Sequence, residues 1–411
     1  MSLRRSSLAL ALAAVLLVCA ASAAQDQITL TLALREDIPT VEVYREILDD
    51  FEAAYPNIKV EIYNTSSTVF AEQILVQQAA GIPPDVLYIH YTFFPELMRQ
   101  NLLLDLRPFI EQDGYEFDDF FPPTIEQFTW KGEFGYAIPR ETSSAAIFYN
   151  IDMFDRAGVE YPFHGWTYDD LVAMGRKLAR DLDGDGNNDE FAIYGITTWF
   201  HRPNIYWSFG AEILNEDGTK FRLHEPEGVQ AVQWIADLIN VERIATTNWA
   251  DRFATGRSAM EIVNYWQILG NLQNDFEWDA FELPAGPAGK WIRTATGAHG
   301  IMAGSRNPEA AWELLKWLSS TESQARLAKL GAIIPARRTA ATSPEMMEGL
   351  PPNRRAFIDT IAFGRADNIP QEVNDAMNEY LAPVWTGAKP AAVALQEVQP
   401  IIDAILADLN Q

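Results

Sequence analysis

The 411-residue chain has one cysteine, Cys19, and it lies within the first two dozen residues. Cleavage after Ala23 or Ala24 removes it, which excludes disulfides, thiolate metal sites and a cysteine nucleophile from the mature protein. Positive charge is also scarce: 31 Lys and Arg stand against 57 Asp and Glu, a formal net charge of −26. Residues 1–24 hold two arginines and no acids, so the remaining 387 residues carry about −28. A field of that sign repels nucleic acid and anionic membrane surfaces and favours neutral or cationic ligands. The chain has no long apolar run after Val18. G-x-S-x-G, H-E-x-x-H and a phosphate-cradling glycine loop are missing, and the five histidines (90, 164, 201, 224 and 299) are scattered.

What the first 24 residues do contain is Arg4-Arg5, an uncharged apolar run from Leu8 to Val18, and the small-residue segment Ala20 to Ala24. The run is shorter than the roughly 20 residues of a membrane span, and Ala21-Ser22-Ala23 offers an A-x-A cleavage pattern. The segment 1–24 therefore reads as a secretory signal peptide, which sends the mature chain to the periplasm or the extracellular cell surface. A lipid anchor at Cys19 is the second reading of the same segment. Val18 stands against it, because a lipoprotein signal normally has a small residue before the cysteine.

Apolar residues alternate at Ile28, Leu30, Leu32 and Leu34, and again at Ile58, Val60 and Ile62, as in strands. Between them Val41, Tyr44, Ile47, Leu48, Phe51 and Tyr55 recur at helical steps, with Thr40 as N-cap. A second helix, Val69 to Ala80, ends at Gly81 and leads to the strand Val86-Leu87-Tyr88-Ile89. Strand, helix, strand, helix, strand predicts an α/β layer with parallel strands and right-handed crossovers. Further helices are expected over Trp166–Arg180, with Leu171, Met174, Leu178 and Leu182 on one face, and over Val229–Asn240. Asn307 and Pro308 open another, whose buried stripe is Ala311, Leu314, Leu315 and Leu318.

Several segments resemble the extracellular solute-binding proteins of sugar ABC transporters, the maltose-binding-protein-like family. Ala79-Ala80-Gly81-Ile82-Pro83-Pro84-Asp85-Val86 is followed in the family's order by Pro95-Glu96-Leu97 and Leu102-Leu103-Leu104-Asp105-Leu106. Lys131-Gly132-Glu133-Phe134-Gly135-Tyr136-Ala137-Ile138-Pro139, Phe148 to Phe154 and Ala157-Gly158 come next. Trp166 to Leu171 resembles the family's "TWDEL" helix start, Ala259-Met260 with Trp266 its "AM…W" segment, and Asn307 to Trp312 its "NPEAAW" helix. The resemblance covers nearly the whole mature chain. It implies a two-lobed α/β periplasmic-binding-protein fold, each lobe a parallel-type sheet flanked by helices, with three interlobe crossings and ligand held in the cleft. The implied lobes are residues 25–142 plus 300–342 and residues 143–299 plus 343–411. After Pro335 it weakens, since Asn374, Asp375 and Ala376 stand where related maltose-binding proteins place an aromatic, and this speaks against a maltodextrin.

A neutral sugar needs aromatic platforms for its C–H faces and held polar groups for its hydroxyls. In an open parallel sheet ligands bind beyond the carboxyl ends of the strands, which singles out Arg35 and Glu36, Thr65, and His90 with Tyr91. The structural alternatives are an exposed Arg35–Glu36 ion pair and a packed His90–Tyr91 pair. From the resemblance come Arg140 and Glu141 near the first crossing, Trp199, Trp207, Tyr265 and Trp266 in ligand-facing segments, and Gly297 and His299 near the second crossing. Trp266 is the strongest single platform; for any of these aromatics, core packing is the alternative. Asp183, Asp185, Asn187 and Asp189 alternate as calcium ligands do, but the twelfth loop position falls on Tyr194 and not on glutamate, so a solvated Asx-rich turn is the competing reading.

The expected function is that of a non-catalytic binding protein, needing no cofactor unless the Asp-rich loop holds calcium. It captures a neutral mono- to oligosaccharide or polyol and delivers it, as a monomer, to the permease subunits of an ABC importer. The alternatives are another polar solute such as glycerol-3-phosphate, a secreted glycoside hydrolase with paired carboxylates roughly 5 to 9.5 Å apart, and a lectin-like module.

Overall fold

The computed structural model describes residues 27–331, 333–366 and 369–409, so the expected signal segment 1–24 and Cys19 lie outside the described residues. The chain forms two compact units, one running to Tyr88 and including Ile301–Trp317, the other Ile89–Gly300 with Leu318–Gln411.

In the smaller unit β1 (Ile28–Leu34) lies between β2 (Ile58–Asn64) and β3 (Val86–His90), parallel to both. Its second half is closed off on both faces: Leu32, Ala33 and Leu34 are fully buried. Helix α1 (Ile38–Ala54) buries Thr40, Tyr44, Ile47, Leu48 and Phe51; the last four belong to the expected stripe, whereas Val41 and Tyr55 are only half-buried. Its N-cap is Asp37 and not Thr40. The Asp37 carboxylate accepts the Thr40 N–H at 2.9 Å, and Pro39 occupies the first turn, where a missing N–H costs nothing. Helix α2 (Phe70–Ala79) leads to the Pro83-Pro84-Asp85 turn. There the Asp85 carboxylate accepts from the Thr31 N–H at 2.9 Å and from the Ser305 hydroxyl at 2.5 Å, which ties β1 to the segment entering the helix Pro308–Leu318. Trp317 of that helix packs on Phe51 and donates its indole N–H to the Ile47 carbonyl.

The larger unit contains β4 (Ile138–Thr142), β5 (Ala145–Asn150), β6 (Phe191–Tyr194), β7 (Ala245–Thr246), β8 (Ser258–Asn264), β9 (Trp278–Phe281), β10 (Ile292–Thr294), β11 (Thr296–Ile301), β12 (Ile334–Pro335) and β13 (Gly364–Ala366). One sheet has the order β7-β6-β8-β5-β9. β7, β6 and β8 are parallel, whereas β5 is antiparallel to both β8 and β9, so the sheet is mixed and not purely parallel. β4 pairs antiparallel with β11 and β12, and β10 runs parallel to β13.

Helix α3 (Tyr168–Leu178) starts with a capping box, Thr167 with Asp170, and buries Tyr168, Leu171, Met174 and Leu178. Leu182 falls beyond the helix end and is 56% exposed, which removes it from the expected face. Helices α4 (Pro226–Asn240), α5 (Gln371–Trp385) and α6 (Ala391–Leu409) add Val232, Ile235, Leu238, Met377, Leu381, Leu395, Val398 and Ile402 to the same core. Among the described residues no helix is long and apolar enough to cross a membrane.

Trp166 is fully buried in this core, with its indole N–H donating to the Glu282 carbonyl at 2.9 Å. Trp166→Ala removes the ring and leaves that carbonyl unsatisfied. The expected loss is about 3–5 kcal/mol, read as a lower urea midpoint.

Glu261 is the only acid in β8, a strand buried throughout, and it lies opposite Tyr194 and Phe148. Burial pushes its carboxyl up from 4.5 to about 7, against the opposing pull of the Phe253 N–H and the Arg252 guanidinium. Since the folded-state value is the higher one, the stability this group contributes is complete below about pH 4.5 and is lost as pH rises through 7. Glu261→Gln is expected to flatten the fall in stability between pH 5 and pH 8, by up to about 3 kcal/mol. Thermal melts of both proteins at the two pH values check this.

Candidate functional site

In the smaller unit Arg35 and Glu36 follow β1, and Thr65 follows β2. The Glu36 N–H donates to the Asn64 side-chain oxygen and the Asn64 amide donates back to the Glu36 carbonyl, both at 2.9 Å. The Thr65 N–H bonds the Leu34 carbonyl at 3.1 Å. The Arg35 guanidinium lies 5.2 Å from the centre of the Tyr88 ring. Parallel pairing of β1 and β2 thus brings Arg35, Glu36 and Thr65 to one sheet edge, each half-exposed.

In the larger unit Arg140 and Glu141 are neighbours on β4, and Arg140 clamps the Glu141 carboxylate with two guanidinium hydrogen bonds, one of 2.8 Å through Nε. Gly297 pairs with Glu141 and His299 with Ile138 across the β4–β11 ladder, with an irregularity between Gly297 and Ala298. These four expected residues do come together, but only Glu141 keeps exposure. Burial, and then the Arg140 charge, holds His299 well below the usual imidazole range, so it is neutral. His299 is fully buried, so it has no face open to a ligand, against the expectation that it touches one.

His90 bonds the Thr92 hydroxyl at 2.8 Å and packs on Tyr91 with ring centres 4.4 Å apart. Tyr91, 4% exposed, accepts a 2.8 Å hydrogen bond from the Arg293 guanidinium. Arg293 is itself buried, 4.1 Å from the Phe200 ring centre and 5.0 Å from that of Trp199, and its N–H donates to Asn204 at 2.6 Å. Next to it, burial and the Arg293 charge lower His201 to about 3. Tyr91 and Trp199, expected separately, are gathered by an arginine that sequence reasoning missed. The available signal was a guanidinium inside the otherwise uncharged run Ile292 to Met302.

The chain leaves β6 toward Trp199, β7 toward Trp249 and β8 toward Trp266. Because these three strands are parallel neighbours, the three loops emerge at one edge of the sheet. Trp266 is 57% exposed and offers a ring face. Tyr265, expected beside it, is 1% exposed, packs on Phe357 and donates its hydroxyl to the Met346 sulfur, so it is core and not a platform. Trp207 is 5% exposed and its ring carries the Arg365 guanidinium at 4.8 Å. Arg365 in turn makes two hydrogen bonds to Glu212, of 3.0 and 2.5 Å, at the wall of a cavity of about 520 Å³. That ring face is taken by the arginine, which corrects the expectation of a sugar on Trp207.

The Asp-rich loop also differs from expectation. Asp181, Asp183 and Asp189 place carboxylate oxygens within 4.8 Å of one another. Asp185 instead accepts from the Asn187 N–H at 2.7 Å, and the Asn187 side-chain oxygen accepts from Arg243 at 3.2 Å. The Gly186 and Gly184 N–H groups hold Asp181 below the usual carboxylate range. The ring of Asp and Asn side chains thus serves the loop's own backbone, as in an Asx-rich turn.

A family described as bacterial extracellular solute-binding protein matches residues 38–325. A binding protein of Brucella abortus (strain 2308) is 26% identical over 415 residues, covering 95% of this chain and 96% of that protein. The diacetylchitobiose binding protein DasA of Streptomyces coelicolor is 23% identical over 394 residues, covering 90% and 88%. The sugar-binding protein MalE of Xanthomonas citri shares the fold with a TM-score of 0.80 at 21% identity, covering 93% of this chain and 98% of that one. The match over residues 38–325 spans well over half of the sequence, and the chain belongs to the bacterial extracellular solute-binding protein family.

Proposed function

We propose that the protein is the substrate-binding component of an ABC importer, exported by the 1–24 leader, which captures a neutral carbohydrate and passes it to the permease without chemistry on it. The observation that carries this reading is the exposed Trp266 ring on the turn after β8, at the sheet edge to which three parallel strands deliver their loops. A pyranose presents C–H groups to such a ring and hydroxyls to its rim. The Arg140–Glu141 pair is the kind of donor and acceptor set that orients hydroxyls. The diacetylchitobiose and sugar ligands named for its relatives support the same class. The strong acidity of the chain favours a neutral ligand over a phosphate ester.

Thermal melts against sugars, polyols and sugar phosphates test this directly. A specific sugar at a hundred times its dissociation constant adds about 2.7 kcal/mol of stability and is recovered intact. Trp266→Ala is expected to weaken that sugar about tenfold or more, since a lost stacked ring costs contact area as well as 0.5–1.5 kcal/mol, roughly, of ring-specific attraction. Stabilisation by sugar phosphates alone, or hydrolysis of the sugar, would overturn the reading.

A further inference from the structure

An ionisable side chain inside a buried strand costs stability when it is charged, and Glu261, 8% exposed in β8, is such a group. It lies opposite Tyr194, the last residue of β6, and so stands at the level where β6 gives way to its loop. Gly195, the first residue of that loop, comes so close that a Cβ there would lie 3.5 Å from the Glu261 Cγ and 3.2 Å from the Ile262 carbonyl oxygen. From the loop after β7, the Phe253 N–H bonds the carboxyl. From the turn after β8, the Gln267 side-chain amide donates to it at 3.5 Å. The same Gln267 accepts the Asn264 N–H at 2.9 Å and closes the capping box of the turn that carries Trp266. One carboxyl thus meets all three loops that leave the parallel strands.

The charged and titratable groups around it leave that carboxyl poorly compensated. Tyr194 faces it from β6, and its phenol is itself pushed up by burial and then by the Glu261 charge. Arg252 pulls the other way, but its guanidinium lies over the Trp249 ring at 4.3 Å and bonds the Trp249 carbonyl at 3.1 Å. Asp251 is turned to Arg257, at 3.8 Å, and to the Thr246 hydroxyl. Burial and the Arg293 charge hold His201, in the loop after β6, at about 3, so it is neutral above pH 5. From β5 the facing residue is Phe148, which carries no charge. Burial dominates and pushes the Glu261 carboxyl up to about 7, so this is the group in the cluster that changes charge between pH 5 and pH 8. Ionised, it draws water in between the loops; protonated, it sits dry.

We infer that Glu261 is a positioning residue for capture at this rim: with a proton on its carboxyl it holds the loops after β6, β7 and β8 together, and when it ionises the loops loosen and capture weakens. This rests on the carbohydrate reading above and adds to it a control of the site by pH. Burial sets the sign. A neutral solute seated on the rim takes water away from the carboxyl and favours its protonated form, so binding takes up a proton and affinity falls as pH rises through 7. With the carboxyl at about 7, roughly one molecule in ten is still protonated at pH 8, and capture by that form alone weakens affinity about tenfold relative to pH 5.

Two measurements test this, one without sugar and one with it. Amide hydrogen exchange of the ligand-free protein at pH 5 and pH 8 reads the loops themselves. Protection of residues 195–200, 249–256 and 264–268 falls several-fold in wild type at the higher pH and stays level in Glu261→Gln, which keeps the shape of the protonated side chain without titrating. Calorimetric titration with diacetylchitobiose and with maltose, at both pH values and in two buffers of different ionisation enthalpy, reads the coupling. A sugar that binds wild type loses about tenfold in affinity from pH 5 to pH 8 and takes up about one proton at pH 8. Glu261→Gln binds it equally at both pH values with no proton uptake, and Tyr194→Phe keeps the wild-type profile. A wild-type affinity that does not change with pH, or a fall that persists in Glu261→Gln, would overturn the inference while leaving carbohydrate binding intact. If neither sugar binds, the exchange measurement decides alone: level protection in wild type overturns the role of Glu261, and the melts against the wider panel decide whether carbohydrate binding survives.

Discussion

The parallel run of β7, β6 and β8 is the constraint on which the candidate site depends. Parallel strands need a crossover back to the same starting edge, so each ends at the same opposite edge. After β6, β7 and β8 alike a tryptophan follows within a few residues: Trp199, Trp249 and Trp266. They are far apart in sequence, and strand direction alone makes them neighbours along one rim. β5 is antiparallel to β8 and β9 to β5, so the loop entering β5 at Ala145 and the loop leaving β9 after Phe281 join the three tryptophan-bearing loops at that rim.

The larger unit buries charge, and each instance is held by a different device. Arg293 has three aromatic rings around its guanidinium and the Tyr91 hydroxyl as acceptor. Arg140 has the adjacent Glu141 carboxylate. Arg202 is fully enclosed, bonded to Asn378 and over the Trp385 ring. Burying a guanidinium is costly unless it is hydrogen-bonded or stacked, and here the partners come from strands and helices distant in sequence. Their neutral neighbours follow from the same physics: His201 and His299 lie beside Arg293 and Arg140 and are kept uncharged by burial and by like charge.

The alternation of strands and helices through β3 was legible because each element has a half-buried face, and its period shows in the sequence. The strands of the larger unit were harder to read, since β5 and β8 are buried on every residue and carry no alternation. Thr40 is not the cap, because the Asp37 carboxylate three residues earlier accepts the Thr40 N–H. At the site, the family resemblance offers both Tyr265 and Trp266, with Trp266 the stronger platform. Packing on Phe357 and Met346, some eighty and more residues away, decides which of the two adjacent rings turns inward. Arg293 escaped for the same reason: the rings around it are brought in by other loops.

The acidity of the chain and its buried arginines are two sides of one arrangement. The net charge of −26 is spread over a large surface and is screened within about 8 Å at physiological salt, so it acts on a ligand mainly during approach. The guanidiniums of Arg140 and Arg293 sit in a poorly hydrated interior, where a charge-assisted hydrogen bond is stronger than in water. Arg140 already has its carboxylate partner, so the pair presents a neutral but strongly polarised edge rather than a bare positive charge. Such an edge pulls on a hydroxyl from both ends of its dipole, whereas an anion would gain one attraction and meet one repulsion.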